Sequence, residues 1–135
     1  MIHLDSSFLI DLLREQVRER PGPAFDVIEG LDANEVLAVS VHVACELRAG
    51  AELARRPLVE HEALDHLLSG LLVAYPDDRF APAYARLFAG VTRSKPPVAA
   101  MDLLIATAAL LDDAVLVTRN TKDFSRIPGL RIIDY

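Results

Sequence analysis

Short apolar runs alternate with helical segments along the whole chain, and this alternation limits the fold more than any other feature of the sequence. Five runs have strand length without period-two alternation, which is typical of strands covered on both faces; they are residues 2–4, 36–39, 71–74, 114–118 and 130–133. Six segments have helical spacing: residues 7–19, 24–31, 40–54, 58–70, 78–92 and 98–112. The pattern predicts an α/β fold, with a central parallel sheet of about five short strands flanked by helices on both faces.

Composition bounds the size and setting of this fold. With 135 residues, 52% of them hydrophobic, the chain is expected to form one domain over residues 1–135 around one core. No apolar stretch reaches the roughly 18 residues of a spanning helix, and no signal peptide is evident. We therefore expect a cytoplasmic protein without a membrane partner. The single cysteine, Cys45, is expected to be a small buried residue on a helix.

The net charge of −6 argues against a surface that attracts nucleic acid everywhere. Any nucleic-acid contact must therefore be local. The basic residues do cluster along the chain, at Arg14, Arg18 and Arg20, at Arg48, Arg55 and Arg56, at Arg93 and Lys95, and at Arg119, Lys122 and Arg126. Each cluster is also compatible with an ordinary solvated helix face or loop.

Polar residues follow the first and fourth predicted strands directly. Asp5 comes after the first strand, and Thr118 and Asn120 come at the end of the fourth. In parallel sheets, ligands bind beyond the carboxyl ends of the strands. Asp5 has two possible roles, since it can cap the following helix or face a ligand, and Ser6 or Ser7 can cap that helix if Asp5 does not.

Three further carboxylates occupy informative positions. Asp102 interrupts an otherwise almost wholly apolar helix, where an ionised group is costly unless it is paired or metal-bound. Glu46 lies early in the helix that follows the second strand, and Asp123 follows the fourth strand. Structural explanations remain open: Asp102 and Asp123 can cap helices, and Glu46 can be an ordinary helix glutamate.

Four carboxylates meeting at one rim of the sheet need a cation, because two of them about 4 Å apart repel by roughly 4 kcal/mol at an effective dielectric near 20. Ligands that are all oxygen favour Mg²⁺ or Mn²⁺. The histidines do not form a zinc pattern with these acids; they are His3, His42, His61 and His66.

Four motifs in order give the chain a family resemblance. HLDSS at the start, CELRAGAEL after the second strand, MDLLIATAALLDDAVLVTRNTKDF and the closing PGLRIIDY together resemble the PIN-domain ribonucleases, in particular the VapC toxins of toxin–antitoxin pairs. The resemblance covers essentially the whole chain. The matching motifs contain four acidic residues in order, Asp5, Glu46, Asp102 and Asp123.

The resemblance implies a catalytic quartet that binds one or two Mg²⁺ or Mn²⁺ ions, formed by Asp5, Glu46, Asp102 and Asp123. It also implies that Ser7, Thr118 and Asn120 support the metal site. Family members cleave RNA, are commonly homodimers and are inhibited by a VapB antitoxin. Candidate contacts to RNA or antitoxin are Arg14, Arg48, Arg119 and Lys122.

Two alternatives belong to other functional classes. A PIN-like domain can bind RNA or a protein without cutting, although the intact quartet argues against this. A phospho-receiver module is disfavoured, because its acidic pair after the first strand is absent where Ser6 and Ser7 follow Asp5.

Overall fold

Five parallel strands form the centre of the computed structural model, which describes all of residues 1–135. The strands are β1 (Ile2–Leu4), β2 (Leu37–Ser40), β3 (Leu72–Ala74), β4 (Val115–Val117) and β5 (Ile132–Ile133). Their spatial order is β3-β2-β1-β4-β5, so β1 lies in the middle. Leu4 of β1 pairs with Val117 of β4, which brings the carboxyl ends of these two strands together.

Seven helices connect the strands: α1 (Ser6–Val17), α2 (Pro23–Gly30), α3 (Val41–Glu52), α4 (Pro57–Leu68), α5 (Phe80–Val91), α6 (Ala100–Leu111) and α7 (Thr121–Phe124). The predicted α/β architecture with a parallel sheet is confirmed. The short α7 was not among the six predicted helices. The fifth helix begins two residues later than predicted, because Asp77 forms a turn in which its carboxylate accepts a hydrogen bond from the Arg79 backbone N–H at 2.9 Å.

The strand order places a topological switch point between β1 and β4. From β1 the chain moves outward through β2 to β3, then crosses back to β4 and continues to β5. Because such crossovers are right-handed, α1–α4 cover one face of the sheet and α5–α7 cover the other. Ligand sites of open parallel sheets form at the point where the connections diverge. Asp5 and Thr118 flank this point.

The core is centred on β1, β4 and the two helices that pack on opposite sides of them. Buried side chains of the core include Leu4, Phe8, Leu9, Leu103, Ile105, Leu116 and Val117. Helix α6 alone buries six residues, which confirms the expectation for its nearly continuous apolar sequence. None of the helices combines the length and apolar character needed to cross a membrane.

Helix α3 begins at a capped junction and contains one residue whose predicted burial is wrong. Ser40 caps the helix, and its hydroxyl accepts a hydrogen bond from the Val43 backbone N–H at 3.2 Å. Cys45, however, is exposed rather than buried. Val43 and Leu47 occupy the core-facing positions, and a residue two positions from each points to the opposite side of a helix.

Candidate metal centre

Asp5 lies at the carboxyl end of β1 and is held there by the neighbouring strand. Its backbone N–H donates to the Val117 carbonyl at 3.0 Å. One carboxylate oxygen, Oδ2, accepts hydrogen bonds from the hydroxyls of Thr118 at 2.7 Å and Ser7 at 3.1 Å. The other oxygen, Oδ1, accepts no hydrogen bond from the protein. The carboxylate, which is 4% exposed, therefore has one oxygen fixed and one free.

The capping predictions for α1 are wrong. Asp5 occupies the position before the helix, but its carboxylate makes no capping hydrogen bond. Ser7 donates to Asp5 instead of capping. Ser6 donates to Glu46 Oε1 at 3.0 Å. The Ser6 and Ser7 hydroxyls donate to neighbouring carboxylates instead of capping, because a hydrogen bond to a charged acceptor is stronger than one to a neutral group.

The turn after β4 is hydrogen-bonded to the Asp5 carboxylate, directly through Thr118 and indirectly through Ser7. The Thr118 hydroxyl is buried and also accepts the Asn120 backbone N–H at 3.0 Å. The Arg119 backbone N–H donates to the Ser7 hydroxyl at 3.2 Å. Thr118 and Ser7 therefore tie this turn to Asp5, whereas the Asn120 side chain makes no hydrogen bond.

Helix α3 brings Glu46 to the rim. Its pKa is raised, mainly by partial desolvation; the Ser6 hydrogen bond lowers it, and the negative charge of Asp5 raises it further. Because Asp5 acts on the titration of Glu46, these two acids lie in one electrostatic environment.

Asp102 lies inside the first turn of α6, and its side chain makes no hydrogen bond. Capping is wrong for this residue, because Ala99 occupies the capping position. The pKa of Asp102 is raised to about 6, first by burial and then by the charges of Asp5, Asp123 and Glu46. The remaining three acids of the predicted quartet thus all act on the Asp102 carboxylate.

Asp123 lies within α7 rather than capping it, since Asn120 is the residue before the helix and makes no side-chain cap. Its carboxylate is 4.0 Å from the Arg126 guanidinium. This long ion pair leaves the negative charge of Asp123 able to raise the pKa of Asp102.

The structure brings the four acids into one electrostatic field without joining them into a closed ligand shell. No three Asp, Glu, His or Cys side chains lie close enough together to hold a metal ion as they stand. Two residues missed by the sequence reasoning are Ser6, which binds Glu46, and Asp11, which binds Arg119. The spacing of Ser7 and Asp11, four apart on one helix, could have pointed to Asp11.

The basic candidates have different surroundings. Arg119 donates to Asp11 at 2.7 Å, and Arg14 contacts the same carboxylate at 3.5 Å. Lys122 is exposed on α7 and makes no ion pair. Arg48 points to α4, where it donates to Asp65 at 2.5 Å and to a backbone carbonyl at 3.1 Å. Arg48 therefore joins two helices.

Comparison with known proteins shows which family and which relatives the chain is similar to. Residues 2–130 match the model of the PIN domain family. Ribonuclease VapC2 of Rickettsia felis is 30% identical over 114 residues, which cover 84% of this chain and 85% of the relative. The tRNA(fMet)-specific endonuclease VapC of Salmonella typhimurium is 32% identical over 99 residues, 73% of this chain and 75% of the relative. The structure of VapBC2 from Rickettsia felis bound to a DNA fragment from their promoter superposes with a TM-score of 0.89 at 27% identity, covering 100% of this chain and 99% of that one.

Proposed function

Since the chain belongs to the PIN domain family and to its VapC branch, we propose that it is a Mg²⁺- or Mn²⁺-dependent endoribonuclease, the toxin of a VapBC-type toxin–antitoxin pair. The observation that carries the proposal is that Asp102 makes no side-chain hydrogen bond and that its pKa is raised, first by burial and then by the charges of Asp5, Asp123 and Glu46. Three acids whose charges act on a fourth acid that has no hydrogen-bond donor do not stabilise the fold. A cation bound at this rim would offset the repulsion between the carboxylates.

The side chains present fit a divalent cation. Asp5 Oδ1 is free because Oδ2 takes both hydroxyl donors. Asp102 has no hydrogen-bond partner, and Glu46 is bonded through only one oxygen. Mg²⁺ is commonly held by one or two direct carboxylates, with other acids acting through water. We infer that Asp5 and Asp102 are direct ligands and that Glu46 and Asp123 complete the site.

A bound divalent ion would supply a water of lowered pKa and neutralise charge on the scissile phosphate. The protein's own side chains would hold the ligating carboxylates in fixed orientations. Thr118 and Ser7 fix the rotamer of Asp5, and Ser6 orients Glu46. Hydrogen bonds around ligating carboxylates typically change metal affinity or activity by about 10- to 100-fold when removed.

The partners proposed for the chain follow from its relatives. The substrate is RNA, and tRNA is the first class to examine, because one relative is named a tRNA(fMet)-specific endonuclease. The inhibitor is a VapB-type antitoxin, as in the VapBC2 complex of Rickettsia felis. We further propose that the protein acts in the cytoplasm as a homodimer.

The function is tested by incubating the antitoxin-free protein with total RNA and sequencing the new RNA ends. With Mg²⁺ or Mn²⁺ we expect cleavage at defined places, and none in EDTA. Asp5→Asn should lower the rate more than 100-fold, since loss of an outer hydrogen bond to a metal ligand already costs about 10- to 100-fold. Asp113→Asn is the matched control, because that carboxylate is fully exposed and Asn tolerates its positive φ of 48°.

Three results would count against the proposal. Cleavage that persists in EDTA and in Asp5→Asn would exclude the metal mechanism. RNA binding without cleavage would favour the non-catalytic PIN-like module. Full activity in the presence of a cognate VapB-type antitoxin would exclude inhibition by that protein.

A further inference from the structure

We propose that Tyr135 and Asp11 are positioning residues that hold the Arg119 guanidinium where it binds a phosphate of the RNA strand next to the acidic quartet. This inference rests on the proposed function and adds how the substrate is held beside the cutting site. It assigns a role to two residues, Tyr135 and Asp11, that were not among the predicted site residues.

One polar stripe on α1 leads away from the quartet. Ser7, Asp11 and Arg14 follow one another at intervals of four and three residues, so they lie on the same face of the helix, and Arg18, the residue that ends it, continues this spacing. Ser7 contacts Asp5 at one end of the stripe. The stripe therefore runs from the proposed cutting site to a pair of arginines.

Asp11 joins the stripe to the turn after β4. Its Oδ2 atom accepts hydrogen bonds from Arg119 Nη1 at 2.7 Å and from the Tyr135 hydroxyl at 2.9 Å. The Asp11 side chain is only 16% exposed, so the accepting carboxylate is largely removed from solvent, whereas the Arg119 side of the pair remains exposed. Burial, followed by the hydrogen bond to Asp11 and the charge of that carboxylate, raises the pKa of the Tyr135 phenol, which keeps the hydroxyl protonated as a donor.

Tyr135 is itself fixed by the core. Its ring packs edge-on against Phe8, with centroids 5.1 Å apart and an interplanar angle of 88°. Phe8 is fully buried, so the position of the Tyr135 hydroxyl is set by the core rather than by solvent. The Arg119 backbone is fixed independently by its hydrogen bond to Ser7. The base of Arg119 and one of its Nη atoms are thus both held.

The remaining surface of Arg119 suits a phosphate. Its side chain is 56% exposed, and only Nη1 is bonded to Asp11. It lines an open groove of about 330 Å³, in which three arginines, Arg14, Arg18 and Arg119, face two acids, Asp11 and Glu15. A guanidinium binds phosphate oxygens through paired donors, so an arginine with a free edge is well suited to a nucleic-acid backbone.

The position of the Arg119 guanidinium matters because the acidic quartet lies close to it. An unrestrained guanidinium would be attracted to the carboxylates that act on Asp102, and a phosphate would be repelled by them. Asp11 offers Arg119 a nearer acidic partner. The arginine can then attract RNA in a protein whose net charge is −6 without occupying the acidic site.

The test compares Tyr135→Phe, Arg119→Ala and the double variant. Tyr135→Phe keeps the ring packing on Phe8 and removes one hydrogen bond, so we expect KM for RNA to rise about fivefold with kcat nearly unchanged. Arg119→Ala should raise KM about tenfold or more. Adding Tyr135→Phe to Arg119→Ala should have no further effect on KM, because Tyr135 acts through the arginine.

A binding assay in EDTA separates this inference from the proposed function, since it needs no cleavage. Fluorescence anisotropy with a 5′-fluorescein single-stranded RNA should show the same order of affinities. Arg119→Ala should lower the slope of log K against log salt by about 0.7, as expected for one phosphate contact. Arg131→Ala is the charge-matched control, because that exposed arginine pairs with Asp113 away from the groove.

Several outcomes would overturn the inference while leaving the proposed function intact. One is an active wild type with equal RNA affinity for Arg119→Ala and Arg131→Ala. Another is a Tyr135→Phe defect that persists in the Arg119→Ala background or that matches a loss of thermal stability alone. Unchanged RNA binding with weakened antitoxin inhibition would assign the surface to a protein partner. Wild type that neither cuts nor binds RNA would overturn both proposals.

Discussion

The Asp102 carboxylate lies in the first turn of α6 with no hydrogen-bond donor, under the influence of three other acids. Its pKa of about 6 stands above the ordinary value of 3.8. The folded protein therefore binds a proton more tightly than the unfolded chain between these two values. Proton binding by the folded state stabilises the fold at low pH, and this stabilisation is lost as the pH rises through 6.

For metal-free protein in EDTA, the contribution of Asp102 to the free energy of unfolding should fall between about pH 4 and pH 6. Asp102→Asn should remove this contribution and stabilise the protein at pH 7 by about 1 kcal/mol, a figure reduced from the full pKa shift because solvent screens a partly exposed group. Urea denaturation at pH 4.5 and pH 7 measures the effect. Asp113→Asn is the control, and an equal response of both variants would contradict the assignment.

Individual residues differed in how far their positions could be predicted. The placement of Asp5 and Thr118 at one rim was predictable because strand ends are visible in the sequence and parallel strands end at the same edge of the sheet. Ser6 and Tyr135 were not found, because their partners depend on side-chain direction across distant segments. Cys45 was misjudged for a related reason, since hydrophobic character alone does not fix which helix face a residue takes.

At the scale of elements, α3 is the helix that positions Glu46, and its start is fixed by Ser40. The serine is buried at the end of β2 and caps the helix through the Val43 backbone N–H. The strand and the helix therefore share one residue at their junction. Any loosening of this junction is transmitted to Glu46, one and a half turns further along.

Ser40→Ala should lower the free energy of unfolding by about 1 kcal/mol, because the buried Val43 N–H loses its acceptor. Chemical denaturation provides the measurement, and RNA cleavage should weaken in parallel. Thr92→Ala serves as the control, since Thr92 is an exposed residue at the end of α5. A Ser40→Ala variant as stable as Thr92→Ala would show that α3 does not need this cap.

The elements themselves were largely predictable and their arrangement was less so. Five apolar runs and six helices could be identified because buried strands and helices differ in length and periodicity. The order β3-β2-β1-β4-β5 could not, since pairing depends on contacts between segments far apart in the chain. The four-residue helix α7 was not predicted, because so short a helix shows no hydrophobic periodicity.

For the whole molecule, the acidic rim is a local concentration of charge in a protein that is already negative overall. A cation that binds the folded state alone stabilises it by an amount set by concentration and affinity. At 100 times its dissociation constant, this amounts to about 2.7 kcal/mol. For a domain of this size, such a gain corresponds to several degrees in the midpoint of thermal unfolding.

Adding Mg²⁺ or Mn²⁺ at pH 7.5 should therefore raise the thermal midpoint of wild-type protein by several degrees, measured by circular dichroism. NaCl at equal ionic strength should have a smaller effect, because screening is not coordination. Asp5→Asn and Asp102→Asn should lose most of the increase. A gain of the same size in both variants would place the cation elsewhere on the surface.

The position of β1 in the middle of the sheet has a consequence for the order in which the Asp5 site can form during synthesis. Asp5 precedes its partner Thr118 by 113 residues. Until β4 has left the ribosome, β1 lacks one of its two neighbouring strands and Asp5 lacks the Thr118 hydroxyl that donates to its carboxylate. The hydrogen bonds that fix Asp5 can therefore be completed only after β4 has been synthesised.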